Sequence, residues 1–147
     1  MLLKLLLLAL FGTAMAHLEG VVVVYFRKAL GILDPESNTE AIENIGKKYL
    51  RTEMTREAAT IIMLVVIAIL AGSTWIERGI FFLWTFAFWD LFYYLSLYIL
   101  IRWPPNLKTI DVLFLIPKPW IAPVWLPVGI SSLTILTIAV LYLLRIL

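Results

Sequence analysis

Apolar residues gather into four stretches of the chain, residues 2–30, 54–73, 79–101 and 127–147. Each is long enough, or nearly so, to cross about 30 Å of hydrocarbon as a helix. The only long polar stretch, residues 31–53, lies between the first two. There Asp34-Pro35 breaks the chain, and Ser37-x-x-Glu40 has the form of a capping box. Ile42, Ile45 and Tyr49 then recur at helical spacing among Lys47, Lys48 and Arg51. The pattern predicts a short amphipathic helix over 38–52, lying on a membrane surface.

A short turn at 74–78 predicts an antiparallel hairpin of the second and third spans. Arg102-Trp103-Pro104-Pro105 ends the third, because proline lacks the N–H that a continuing helix needs. Residues 110–126 are apolar but interrupted by Pro117, Pro119 and Pro123, and they carry Trp120 and Trp125. Irregular backbone is not tolerated against lipid, so this segment reads as interfacial, with Trp anchors, or as shallowly re-entrant. Pro127 suits the first turn of a last helix. The expectation is an all-α integral membrane protein, a bundle of about four transmembrane helices forming one domain over 1–147.

Composition sharpens this picture mainly by exclusion. The chain is 63% hydrophobic and 15% charged, against about 25% charged residues in soluble domains. Its mean hydropathy is +0.98. Cysteine is absent, which removes disulfides, thiol catalysis, iron–sulfur clusters and Cys-zinc sites. A single histidine, His17, rules out a multi-His metal or bis-His haem site within one chain. With a formal charge of +2 and no basic stripe, nucleic acid is not an expected partner. No HExxH, GxSxG or P-loop pattern occurs, and no cofactor is expected.

Lys4, the run Leu5 to Phe11 and Ala14-Met15-Ala16 imitate a signal peptide. Cleavage there would leave an apolar remnant, 18–26, too short to span, so residues 1–16 are read as part of the first span. Basic residues set the orientation. Arg27, Lys28, Lys47, Lys48, Arg51 and Arg56, then Arg102, Lys108 and Lys118, crowd one side, against Lys4, Arg78 and Arg145 on the other. The loops 31–53 and 102–119 are therefore expected in the cytoplasm and both termini outside.

Charges inside spans are costly and mark candidate sites. At about 1.5 Å of rise per residue, Glu19 lies roughly 12 Å in from Arg27, Tyr94 roughly 12 Å in from Arg102, and Asp90 roughly 18 Å. Gly12, Ala16, Glu19 and Gly20 share a stripe of the first span, a small-x-x-x-small pattern that lets another helix approach. Arg56 and Thr60 share a face of the second span with Glu57 at its edge, and Asp90 and Tyr94 share one of the third, flanked by Tyr93. A bundle could gather Glu19, Thr60, Asp90 and Tyr94, with Arg56 reaching in from the cytoplasmic side. Plainer readings stand beside this one. Glu19 and Arg56 could be an ion pair that fixes register, Arg56 and Glu57 snorkelling interfacial residues, and Asp90 part of a tyrosine packing network. His17 reads as a lone hydrogen-bonding group.

Phe88-Trp89-Asp90-Leu91-Phe92-Tyr93-Tyr94, Trp103-Pro104 and the run Asp111 to Trp120 resemble an uncharacterised group of small bacterial polytopic membrane proteins. The stretch Glu19 to Arg27 and Arg56-Glu57-Ala58-Ala59-Thr60 are similar too. The resemblance implies a helical protein of the bacterial inner (plasma) membrane and carries no activity with it. The leading functional expectation is a non-enzymatic accessory or assembly subunit, with lipid and other membrane subunits, or a second copy, as partners. The alternative is proton- or cation-coupled transport through Glu19 and Asp90, and the third reading is a lipid-modifying enzyme.

Overall fold

A computed structural model describes residues 1–31, 47–144 and 146. Four helices dominate it: α1 (Leu2–Ala29), α2 (Lys47–Ala71), α3 (Trp75–Ile101) and α4 (Trp125–Leu143). All four are long and apolar enough to cross a membrane. Between α3 and α4 the chain forms a two-stranded antiparallel sheet, β1 (Ile110–Phe114) and β2 (Trp120–Pro123).

Two expectations change here. The chain is not all-α: within the Pro-rich segment 110–126, residues 110–123 form a β-hairpin rather than irregular backbone, and Trp125 and Leu126 already belong to α4. Ile110 pairs with Pro123, Asp111 with Ala122, Val112 with Ile121, and, after a bulge, Phe114 with Trp120. β-Branched and aromatic residues at Ile110, Val112, Phe114, Trp120 and Ile121 suit a pleated surface. Pro117 and Pro119 fall in the connection, where no ladder donor is needed. The backbone pairing runs on beyond β2, with Val124 N–H donating to Thr109 and Trp125 N–H to Leu107. The second change concerns the predicted surface helix. Residues 38–46 lie outside the described residues, but 47–52 are the opening turns of α2, continuous with the span. Lys47 to Arg51 simply extend the helical period of the apolar run behind them.

The helix ends follow local chemistry. Thr74 caps α3, accepting from Glu77 N–H, and Glu77 in turn accepts from Ser73 N–H. This moves the start of α3 to Trp75, ahead of the expected Gly79. Gly72 sits in the α2–α3 turn, where a Cβ would lie 2.7 Å from the backbone nitrogen of Arg78. Arg102 closes α3 in the left-handed region, at φ 56, just before Trp103-Pro104.

Contacts between helices give an up-down-up-down path. Leu5 meets Trp84, Gly12 meets Thr85 and Gly20 meets Ser96, so α1 and α3 run parallel. Phe26 meets Tyr49, so α2 is antiparallel to α1. Asp90 meets Ser131, and Val124 packs with Trp103, so α4 is antiparallel to α3. One end of the bundle is packed by Leu5, Leu8, Ala68, Phe81, Trp84 and Ile138. Met15, Ala16, Leu64 and Trp89 fill the middle. At the other end, Val23, Tyr94, Leu97, Trp103 and Val124 lie under the hairpin.

The small-residue stripe is what lets α1 lie against α3. A Cβ on Gly12 would come 2.7 Å from the Thr85 carbonyl oxygen, and one on Gly20 would come 3.0 Å from Ser96 Cβ. Ala16, between them, is wholly buried. Gly79 and Gly129 have open space at the same test. Gly12→Ala should therefore force the two backbones apart and cost about 1–3 kcal/mol, as overpacking does. Gly79→Ala should be neutral or gain up to about 1 kcal/mol from helix propensity. Thermal unfolding of both variants in mild detergent compares them, and equal midpoints would mean that α1 and α3 are not in backbone contact at Gly12.

Candidate functional site

Near the hairpin end, the four helices and the sheet enclose a cavity of about 270 Å³. Its walls are mostly apolar, from Val23, Phe26, Ile61, Phe86, Leu126 and Ile130 among others. Set into them are five carboxylates, Glu19, Glu53, Glu57, Asp90 and Asp111, and two guanidiniums, Arg27 and Arg56. How each charge is held decides what the cavity can do.

Glu19 projects from α1 at the stripe that faces the other helices, and it is buried. Its Oε1 accepts from Arg56 Nη1 at 2.7 Å and from the Thr60 hydroxyl, both on α2. Its Oε2 accepts from the indole N–H of Trp89 on α3 at 2.8 Å. Arg56 also donates through Nε to Glu53 at 2.9 Å, so its guanidinium bridges two carboxylates. Glu57, one residue on, accepts from the backbone N–H groups of Leu115 and Ile116 at 2.8 and 3.0 Å. It ties α2 to the outgoing end of β1.

The remaining two carboxylates are held differently. Asp90 on α3 accepts from the Ser131 hydroxyl of α4 at 2.7 Å. Asp111 on β1 accepts from the Tyr94 hydroxyl at 3.0 Å. Both are buried, and neither has a cation at ion-pair distance among the described residues. Burial pushes the Asp111 carboxyl up to about 6, against the opposing influence of the Arg27 charge and the Tyr94 hydrogen bond. Arg27 itself lies over the Trp103 ring, 4.1 Å from its centre. Along the α3 wall the rings are continuous: Phe86 to Trp89 at 5.3 Å, Trp89 to Tyr93 at 6.2 Å and Tyr93 to Tyr94 at 5.4 Å.

The sequence-predicted residues thus divide into groups. Glu19, Arg56 and Thr60 meet directly. Asp90, Tyr93 and Tyr94 line the same cavity, but Asp90 bonds to Ser131 and Tyr94 to Asp111 rather than to Glu19. Glu57 is a hairpin anchor as well as a cavity residue. His17 lies apart, exposed, with Nδ1 3.3 Å from Ser96 Oγ. Gly12, Ala16 and Gly20 serve the α1–α3 contact and do not reach the cavity. Sequence reasoning passed over Trp89, Asp111, Ser131 and Glu53. Trp89 carried a usable signal, since an indole N–H in an apolar span needs an acceptor, and Glu19 was the available one. Asp111 was hidden because its segment was read as interfacial.

The arrangement offers two kinds of chemistry. A carboxylate with three donors is a fixed anion, suited to holding helices in place. A buried carboxylate without a cation at ion-pair distance can take a proton or a cationic ligand. Among the described residues no group of three or more His, Cys, Asp or Glu side chains could hold a metal ion.

The Glu19–Arg56 contact has a measurable weight. Removing either partner alone should cost about 3–5 kcal/mol, because a buried charge is left uncompensated. Removing both should cost less than the sum, with coupling of about 0.5–3 kcal/mol. A double-mutant cycle with Glu19→Gln and Arg56→Met, followed by unfolding in detergent, reads this directly. Additive losses would mean that the pair does not interact.

Comparison with protein-family models, curated proteins and solved structures finds no match to this chain.

Proposed function

We propose that the protein is an integral membrane protein whose four helices cross the bilayer, and that its cavity takes protons or cations as part of transport. The observation that carries this reading is the state of Asp90 and Asp111. Both are buried in one cavity with no cation at ion-pair distance among the described residues. A buried unpaired carboxylate is costly, and a bundle that needed only stability would do better with apolar residues there. Proton uptake or cation binding offsets the cost. Burial holds the Asp111 carboxyl up to about 6, in the direction that favours proton uptake.

The outward faces support residence in lipid. Leu3, Leu6, Leu7 and Leu10 on α1, Ile62 and Leu70 on α2, and Leu133, Leu136 and Leu143 on α4 are all exposed. In water these faces would form large apolar patches. In this reading the basic-rich end, with the cavity and the hairpin, faces the cytoplasm. Lys108 is exposed at that end, and the native chain has no cysteine. Lys108→Cys should stay unlabelled when an impermeant maleimide is added outside intact cells, and rapid labelling would reverse the orientation.

A subunit role has one observation in its favour: α4 buries only Ser131 and Ile138, leaving a long apolar face for lipid or a partner. Flux separates the two readings. Purified protein in liposomes should pass protons or a monovalent cation, and Asp90→Asn should abolish that flux while leaving a folded chain, since Asn keeps the shape and loses the charge. A wild-type protein without flux would remove the transport reading and leave the subunit one.

A further inference from the structure

The cavity is larger than a proton or a bare monovalent ion needs. At about 270 Å³ it exceeds by far a water molecule's share of about 30 Å³, and it approaches the roughly 300–1,000 Å³ of small-molecule sites. We propose that it binds a small organic cation, an ammonium group carrying an apolar substituent. This rests on the cavity being where the protein handles cations, and it names the class of cation.

Three features select that chemistry. The first is charge. Glu19 and Glu53 are matched by Arg56, and Glu57 is spent on the backbone of the hairpin. Asp90 and Asp111 remain, buried, lining the same cavity and without an ion pair among the described residues. Asp90 accepts its hydrogen bond from a neutral hydroxyl, that of Ser131, and the residue is only 8% exposed. A cation in the cavity would supply the countercharge that neither carboxylate finds at ion-pair distance among the described residues. An anion would meet a net excess of carboxylates, since Arg56 already bridges two of them and Arg27 lies on the Trp103 ring.

The second feature is the wall. Tyr93 and Tyr94 meet edge to face beside these carboxylates, and Trp89 stacks on Tyr93. Ring faces attract ammonium groups, quaternary ones included, and favour them most where water is excluded. The third feature is what is missing for a metal. No group of three or more His, Cys, Asp or Glu side chains among the described residues could hold one, whereas an alkylammonium needs only one or two carboxylates, ring faces and apolar space. Ile61 and Ile130 supply that space.

The test uses the whole purified chain in mild detergent, with benzyltrimethylammonium as the probe and benzenesulfonate and potassium chloride as comparison solutes, read by calorimetry. Saturable binding of benzyltrimethylammonium alone is expected, weakened roughly tenfold or more in Asp90→Asn. Should Asp90→Asn fail to fold, Tyr93→Leu against Tyr93→Phe decides the matter: loss of the ring should weaken binding roughly tenfold while the phenyl ring preserves it. No binding, equal binding of benzenesulfonate, or binding indifferent to both Asp90→Asn and Tyr93→Leu would overturn the proposal. Proton or monovalent cation flux without benzyltrimethylammonium binding would sink this inference and leave the transport reading standing. Binding without flux would sustain the organic-cation site and end the transport reading.

Discussion

A carboxylate in the middle of an apolar helix must be given donors by its neighbours, and Glu19 receives them from two other helices at once. Arg56 and Thr60 come from α2, and the Trp89 indole comes from α3. Each of these groups would also be costly if left unpaired in the same surroundings. The angular positions of three helices are therefore tied to one residue. Gly12 and Gly20 make this possible by letting the α1 and α3 backbones approach until a single added carbon would collide. The close approach and the polar hub depend on one another. Without the glycines Trp89 could not reach Glu19, and without Glu19 the indole would have no acceptor.

From that hub the molecule becomes asymmetric along its length. Toward the α1 N-terminus the packing is apolar, built on Leu5, Leu8, Phe81 and Trp84. Toward the hairpin it opens into the cavity. Three of the five carboxylates there are consumed by structure: Glu19 on the hub, Glu53 on Arg56 and Glu57 on the hairpin backbone. The hairpin in turn brings Asp111 beneath Tyr94. Asp90 and Asp111 come from different elements, α3 and β1, and line one cavity because the hairpin folds back over the bundle.

The helices were legible in the sequence because long apolar runs and their terminators act locally. Thr74 and the Trp103-Pro104 pair mark ends that depend on a few neighbouring residues. The α1 stripe and the alignment of Arg56 with Thr60 were legible too, since helical periodicity places residues on faces without knowledge of the partner. Pairings between faces were less so. Asp90 and Glu19 project toward one cavity, but whether they would touch depended on side-chain reach, and Ser131 of α4 took Asp90 instead. The hairpin was missed for a different reason. Three prolines in 110–126 argue against a strand when read singly, yet two of them lie in the connection and the third closes β2. Strand pairing is a non-local fact, and Asp111 was lost with it.

The partners of Glu19 stand 37, 41 and 70 positions further along the chain. During synthesis α1 is therefore complete while every group that will neutralise or hydrogen-bond its carboxylate is still unmade. A carboxylate without donors is costly in apolar surroundings, and the set around Glu19 is complete only once α3 has been made. A chain cut short before Trp89 leaves Glu19 without its indole donor, so the first three helices can lock together only late in synthesis.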